Sequence, residues 1–219
     1  PARHMGLWDR GSIAPGRIAD FIILDNPRTL SINTVYKNGL PIENKFKKSD
    51  YQFLPSLRSS VKAPKLEIND FKLKTDLINN GQVVANVIQI NPVGTFTNHI
   101  KVKLEVKNHE VQWKKANLNL IMVQDRYGKN NGNYTLGLVD RGISKDGAVG
   151  ATWAHDHHNI MIMGTNIKAM LKIQHQLIDE QGGYVVAKGD EIIEDAPLPI
   201  GGVVSDEPMT KLGEKISNI

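Results

Sequence analysis

Five consecutive positions, His155-Asp156-His157-His158-Asn159, hold three of the chain's seven histidines together with a carboxylate and an amide. No other segment concentrates so many groups able to do chemistry. Imidazole nitrogens bind divalent metals or move protons near neutral pH, a neighbouring carboxylate fixes their tautomer, and an asparagine both donates and accepts hydrogen bonds. The same residues can equally close a turn, with Asp156 and Asn159 bonded to backbone groups and the histidines left in water. Residue types alone leave all three readings open.

Spacing narrows them. On an extended chain His155 and His157 share one face and Asp156 and His158 the other, because side chains alternate with period two. A His-x-His pair on one face is half of a metal site. A hydrolytic zinc or manganese centre takes three or more protein ligands and keeps an open position. His4, His99, His109 and His175 stand at no ligand-like spacing, and the chain has no cysteine, so this chain is expected to bind no metal strongly. An acid/base pair of Asp156 with an adjacent imidazole needs a bend, since neighbours on a strand point apart.

The elements that must position the cluster can be read around it. "GAVGATWA" and "IMIMG" are strand-like, which puts His155 to Asn159 at a strand end or in a tight connection. Downstream, Thr165 or Asn166 caps a helix with Ile167, Met170, Leu171, Gln174, Leu177 and Ile178 at helical spacing and His175 at its polar face; Gly182-Gly183 supplies the positive φ that ends it. "YVVAKGDEIIEDA" is a hairpin turning at Gly189-Asp190, followed by the loop "PLPIGGVVSDEP". Upstream, "GQVVANVIQI" and "IKVKLEV" read as strands, and "NLNLIMVQDRYGKNNGNYTLGLVD" as two more around a Gly/Asn loop. The fold class is α/β (α+β).

Before residue 50 the pattern changes. "RIADFIILDN" and "TVYKNGLPI" are short strands, the second broken by a turn at Asn38-Gly39. "FIIL" is apolar on both faces, so residues 19–42 call for partner strands outside this chain. The Ser/Pro-rich "LPSLRSSVKAPK" reads as a solvated linker. The opening "PARHMGLWDRGS" has no initiator Met and an amphipathic piece without a partner, and reads as the continuation of a longer chain.

Bulk properties exclude several classes. The chain of 219 residues is 40% apolar and 23% charged, long enough for one large or two small domains. There is no apolar run near the length of a membrane span and no signal peptide, which with the absence of cysteine implies a cytoplasmic protein and no membrane partner. From Lys45 to Lys74 eight basic residues meet three acidic ones, but the Ser/Pro-rich "LPSLRSSVKAPK" within the stretch marks a solvated linker, so nucleic acid is not an expected partner.

At this point the motifs resemble a known family. "GSIAPGRIADFIILD" is similar to the segment of amidohydrolase-superfamily enzymes that follows the last barrel helix and enters a small β domain. "AHDHHNIMIMGTN" and "PLPIGGVVSDEP" resemble the C-terminal domain of bacterial adenine deaminases, where the patterns "AHDSHN...VG" and "LPLPI.GL.SD.P" recur. The first motif is common to many amidohydrolases; the second pair is specific. Together they span nearly the whole chain.

The resemblance implies a division into residues 1–50, the tail of the last barrel helix and the returning strands of the small β domain; 51–65, a linker; and 66–219, the C-terminal domain. It implies a metal-bearing (β/α)8 barrel that this chain lacks, holding a divalent manganese, iron or zinc ion and the groups that convert adenine and water to hypoxanthine and ammonia. No catalytic residue is then expected here. The chain, inactive alone, would serve as a lid, complete the pocket or hold subunits of a homo-oligomer together, with the barrel and a purine as its partners. His155, Asp156, His158 and Asn159 match the family pattern and are the substrate-pocket residues it implies; His157 replaces a serine, which puts the exact purine in doubt. A stand-alone metal-binding module using His155 and His157, and a purely structural dimerisation domain, are the competing readings.

Overall fold

A strand that is apolar on both faces needs cover on both. The computed structural model of the protein describes residues 1–42 and 51–219, in two compact units, Pro1–Asp50 and Tyr51–Ile219. In the first unit β1 (Phe21–Asn26), β2 (Ser31–Lys37) and β3 (Leu40–Pro41) form a three-stranded antiparallel sheet. Ile22 and Ile23, which point to opposite faces, are 54% and 43% exposed. The β2–β3 turn falls at Asn38 and Gly39, both at positive φ. Asp20 pins it, accepting the Asn38 N–H at 2.8 Å and the Lys37 ammonium at 2.6 Å, and these bonds hold its carboxyl below the usual range. Residues 1–20, expected to contain the tail of a helix, fold as successive turns; so short a segment does not hold a helix without packing partners.

The second unit is built on a nine-stranded sheet. Its strands are β4 (Gly81–Ile90), β5 (Thr97–Lys107), β6 (Glu110–Val111), β7 (Asn119–Gln124), β8 (Tyr134–Asp140), β9 (Gly147–Ala151), β10 (Ile160–Gly164), β11 (Gly183–Lys188) and β12 (Glu191–Pro197). They lie in the order β12-β11-β9-β10-β7-β8-β4-β5-β6. Every neighbouring pair is antiparallel except β4 with β8. The strands foreseen from alternation are present, and with the two helices α1 (Ile167–Asp179) and α2 (Met209–Asn218) the unit is mixed α+β and mostly sheet.

Helix α1 covers one face. Its buried Ala169, Met170, Ile173 and Leu177 share a core with Leu120 and Met122 of β7, Ile160 and Ile162 of β10, and Val185 of β11. The close approach needs Gly150 in β9, where a Cβ would come within 2.5 Å of Ile173 Cγ2. Asn166 caps the helix, its side chain accepting the N–H groups of Lys168 and Ala169 at 3.0 and 3.2 Å, as expected of this position. The C-terminal end corrects the sequence reading. The Gly182 N–H bonds Leu177 O and the Gln181 N–H bonds Ile178 O, a Schellman closure whose left-handed residue is Gln181, at φ 62°.

Gln181 sits there because its side chain has a task. Its Oε1 accepts the Val61 N–H at 3.0 Å and its Nε2 donates to Val61 O at 3.2 Å. Gln174, fully buried in α1, does the same three residues on: Oε1 accepts the Leu66 N–H at 3.2 Å and Nε2 donates to Pro64 O at 2.9 Å. Gln124, equally buried, also donates to Pro64 O, at 3.0 Å. Three glutamines thus satisfy backbone groups where a neighbouring strand would. Residues 51–65, read from composition as a solvated linker, therefore belong to this unit, with Val61 and Ala63 buried. The first part of the basic stretch, 45–50, lies outside the described residues. Among those described, no helix is long and apolar enough to cross a membrane.

Candidate functional site at one end of the sheet

Antiparallel pairing brings separate loops to one end of the nine-stranded sheet. Gln124 of β7 pairs with Ile160 of β10 and with Tyr134 of β8, while Ala151 of β9 pairs with Met161 and with Tyr184 of β11, whose partner is Ala196 of β12. The β7–β8 loop from Asp125, the β9–β10 loop 152–159 and the loop after β12 therefore meet there. The His cluster lies in the β9–β10 loop, the tight connection that its flanking strands imply.

Within that loop the five residues divide. The N–H groups of His157 and His158 both bond Ala154 O, at 3.0 and 2.7 Å, which coils the chain and puts His158 at φ 50°. This bend brings His155 Nδ1 to 3.1 Å from Asp156 Oδ1, but their side chains are 91% and 93% exposed. His157 is exposed too, and its Nδ1 accepts the Asn159 N–H at 3.0 Å. His158 and Asn159 turn inward. His158 is half-buried, with Nδ1 shielded from solvent and unpartnered among the described residues. Asn159 Oδ1 accepts the Arg126 N–H at 3.4 Å.

Arg126 is the residue that the sequence reading missed. It is 2% exposed and stands two positions beyond the buried series Leu120, Met122 and Gln124, so the period of β7 continued one step would have placed it inside. Its Nη2 donates to Tyr127 Oη at 2.5 Å and its guanidinium carbon lies 4.7 Å from that ring's centre. Its Nε and Nη1 have no acceptor among the described residues, and it joins none of their ion pairs. The loop "PLPIGG" backs it: a Cβ on Gly202 would lie 2.2 Å from Arg126 Nη1. Thr152 locks that loop, donating to Gly202 O at 2.6 Å and accepting the Gly183 N–H at 2.9 Å. The Lys62 N–H bonds Arg126 O at 2.7 Å, tying residues 51–65 to the same place.

This set does not fit a catalytic metal. Among the described residues no three His, Asp or Glu side chains gather to ligand distance, His157 Nδ1 is already an acceptor, and His155 is directed into solvent. What the site offers is an inward edge of imidazole, amide and guanidinium beside a phenol. A cleft of about 400 Å³ opens at the other end of the sheet, lined by Trp113, Lys114, Asn119, Asp140 and Arg141 among others. It contains none of the residues expected to form the site.

Comparison with known proteins gives this geometry a context. Residues 94–219 match the family model of the adenine deaminase C-terminal domain. The chain is 63% identical over its full length to an adenine deaminase of Lactobacillus delbrueckii subsp. bulgaricus, covering 39% of that protein. It is 44% identical to adenine deaminase 2 of Oenococcus oeni and 43% identical to an adenine deaminase of Clostridium perfringens, again over all of this chain and 38% and 40% of those proteins. The chain thus spans about two-fifths of the length of the curated relatives it matches.

Proposed function

Because the chain belongs to the adenine deaminase family, as its C-terminal region, we propose that it is part of an enzyme that hydrolyses adenine to hypoxanthine and ammonia, and that its share of the work lies at the sheet end carrying His158 and Asn159. The relatives bear the name of this activity over a chain about two and a half times as long. Residues 1–50 are assigned to the small β domain of an amidohydrolase-type enzyme and 66–219, together with the 51–65 segment packed on them, to its C-terminal domain, with the divalent metal, manganese, iron or zinc, held by a barrel outside this region. A cytoplasmic location and a homo-oligomer belong to the same reading.

The observation that carries the role of this region is the inward turn of His158 and Asn159 beside buried Arg126. A purine presents ring nitrogens that accept and an amino group that donates, and an imidazole and an amide offer the complementary set. Such groups bind and orient a base and keep water from approaching except along the reacting face. His155 and Asp156, exposed on the outer rim of the loop, reach a purine only when the loop closes over it. The region alone is inactive in this account, since it gathers no metal-ligand set among its described residues.

The test is ammonia release from adenine, measured on the full-length protein and on residues 1–219 alone at equal metal supply. Turnover by the full-length protein with none by the region is the expected result. Turnover by the isolated region, or a full-length protein inert toward adenine and active on another purine, would replace this reading.

A further inference from the structure

A guanidinium stays protonated at any pH a protein meets, so Arg126 brings a permanent positive charge into a place that is 2% exposed. Of its five N–H bonds, the one on Nε and the two on Nη1 find no acceptor among the described residues, and no carboxylate among them pairs with it. Desolvating a charge in this way is strongly unfavourable unless an anion or a full set of acceptors offsets it. The position is nevertheless built with care. Backbone bonds hold Arg126 from both sides, through Lys62 and Asn159, and Gly202 leaves room for its head where a side chain would collide. Beside it lies Tyr127, its ring centre 4.7 Å from the guanidinium carbon and its hydroxyl hydrogen-bonded to Nη2, yet itself 47% exposed, in the position of a cover. On the neighbouring loop His158 Nδ1 is a second shielded nitrogen without a partner.

We propose that Arg126 is the receptor for an oxyanion that the described residues do not supply, a carboxylate or phosphate oxygen that reaches the guanidinium when Tyr127 swings aside. Two sources share this chemistry: an Asp or Glu side chain from the part of the full-length protein outside this region, and a free small anion. The purine substrate is neutral and is neither of them, so this site is additional to the reading above.

The experiment is thermal unfolding of the full-length protein and of R126K, R126Q and R126M, in phosphate-free buffer and with inorganic phosphate at millimolar concentration. An oxyanion partner gives the order wild type, R126K, then R126Q and R126M together, the last two melting about 5 °C or more below wild type. Added phosphate that raises the melting temperature of wild type and not of R126Q identifies a free anion. The same order with no response to phosphate identifies a carboxylate of the protein itself. If R126Q or R126M melts at or above wild type, or R126K is no better than R126Q, Arg126 is a packing residue and the proposal is overturned. Since unfolding rather than turnover is read, failure here leaves the adenine assignment untouched, and the reverse holds as well.

Discussion

Gly202 lies flat against the guanidinium of Arg126, so close that a Cβ on the glycine would stand 2.2 Å from Nη1 and 3.1 Å from the guanidinium carbon. Gly201 beside it has a similar positive φ, 62° against 73°, but open space where its Cβ would be. The two glycines of "PLPIGG" therefore separate backbone strain from packing. Gly201→Ala should cost about 1–2 kcal/mol, the left-handed penalty alone. Gly202→Ala should cost about 2–4 kcal/mol, because the buried arginine must also be displaced. Urea unfolding of the two variants checks this; equal losses would mean that the arginine yields freely.

Gln174 holds residues 64–66 through two backbone bonds and donates to Gln124 Oε1 at 2.8 Å inside the core. Gln174→Ala leaves the Leu66 N–H without its acceptor and opens a cavity, and should destabilise by about 2–4 kcal/mol. Gln176→Ala on the same helix removes a bond from Nε2 to the Glu180 carboxylate and should cost under about 1 kcal/mol. Denaturation midpoints at constant slope give both values.

These glutamines also explain what the sequence hid. The strands, α1 and the Gly189-Asp190 hairpin follow from local alternation, helical spacing and turn chemistry, and were legible. Residues 51–65 look like a linker because their partners are side chains far away in sequence, 60 positions between Pro64 and Gln124 and 120 between Val61 and Gln181, and no local pattern encodes that. Helix α2 escaped notice because Gly213 interrupts a short segment with no buried residue. At the site, the cluster was visible as composition and its strand-to-strand placement as pattern. Its division into exposed His155, Asp156 and His157 and inward His158 and Asn159 depends on the coil at Ala154 O, and Arg126 was concealed by the loop-like sequence that follows it.

Glu180 ends α1 with its carboxyl half-buried and Oε2 without a partner among the described residues. Burial raises its pKa from the ordinary value of 4.5, against the lowering effect of the bond from Gln176. A carboxyl with a raised folded-state pKa contributes stability that is complete below its unfolded value and is lost as pH rises through the folded one. Glu180→Gln should therefore stabilise at neutral pH, and its advantage should shrink on acidification and vanish below the unfolded pKa. Melting temperatures across that range check the sign; a variant less stable than wild type at neutral pH would contradict it.

Among the described residues His155 and His157 gather with no third ligand-type side chain. In the full-length protein the paired change His155→Ala with His157→Ala should leave metal content per chain unchanged after dialysis. Elemental analysis decides it, and a loss near one equivalent would revive the metal-module reading.

The central claim is that the inward edge of the β9–β10 loop belongs to the deaminase's pocket, and His158→Ala in the full-length protein tests it most directly. Deleting one hydrogen bond to a charged group or to charge developing in the transition state is worth about 1.5–3 kcal/mol, roughly ten- to a hundredfold in rate. The account predicts a loss of kcat/KM for adenine of that size, at unchanged metal content and a melting temperature close to wild type. Adenine turnover equal to wild type by the folded, metal-replete variant would contradict it and leave His158 a turn residue at the end of the sheet.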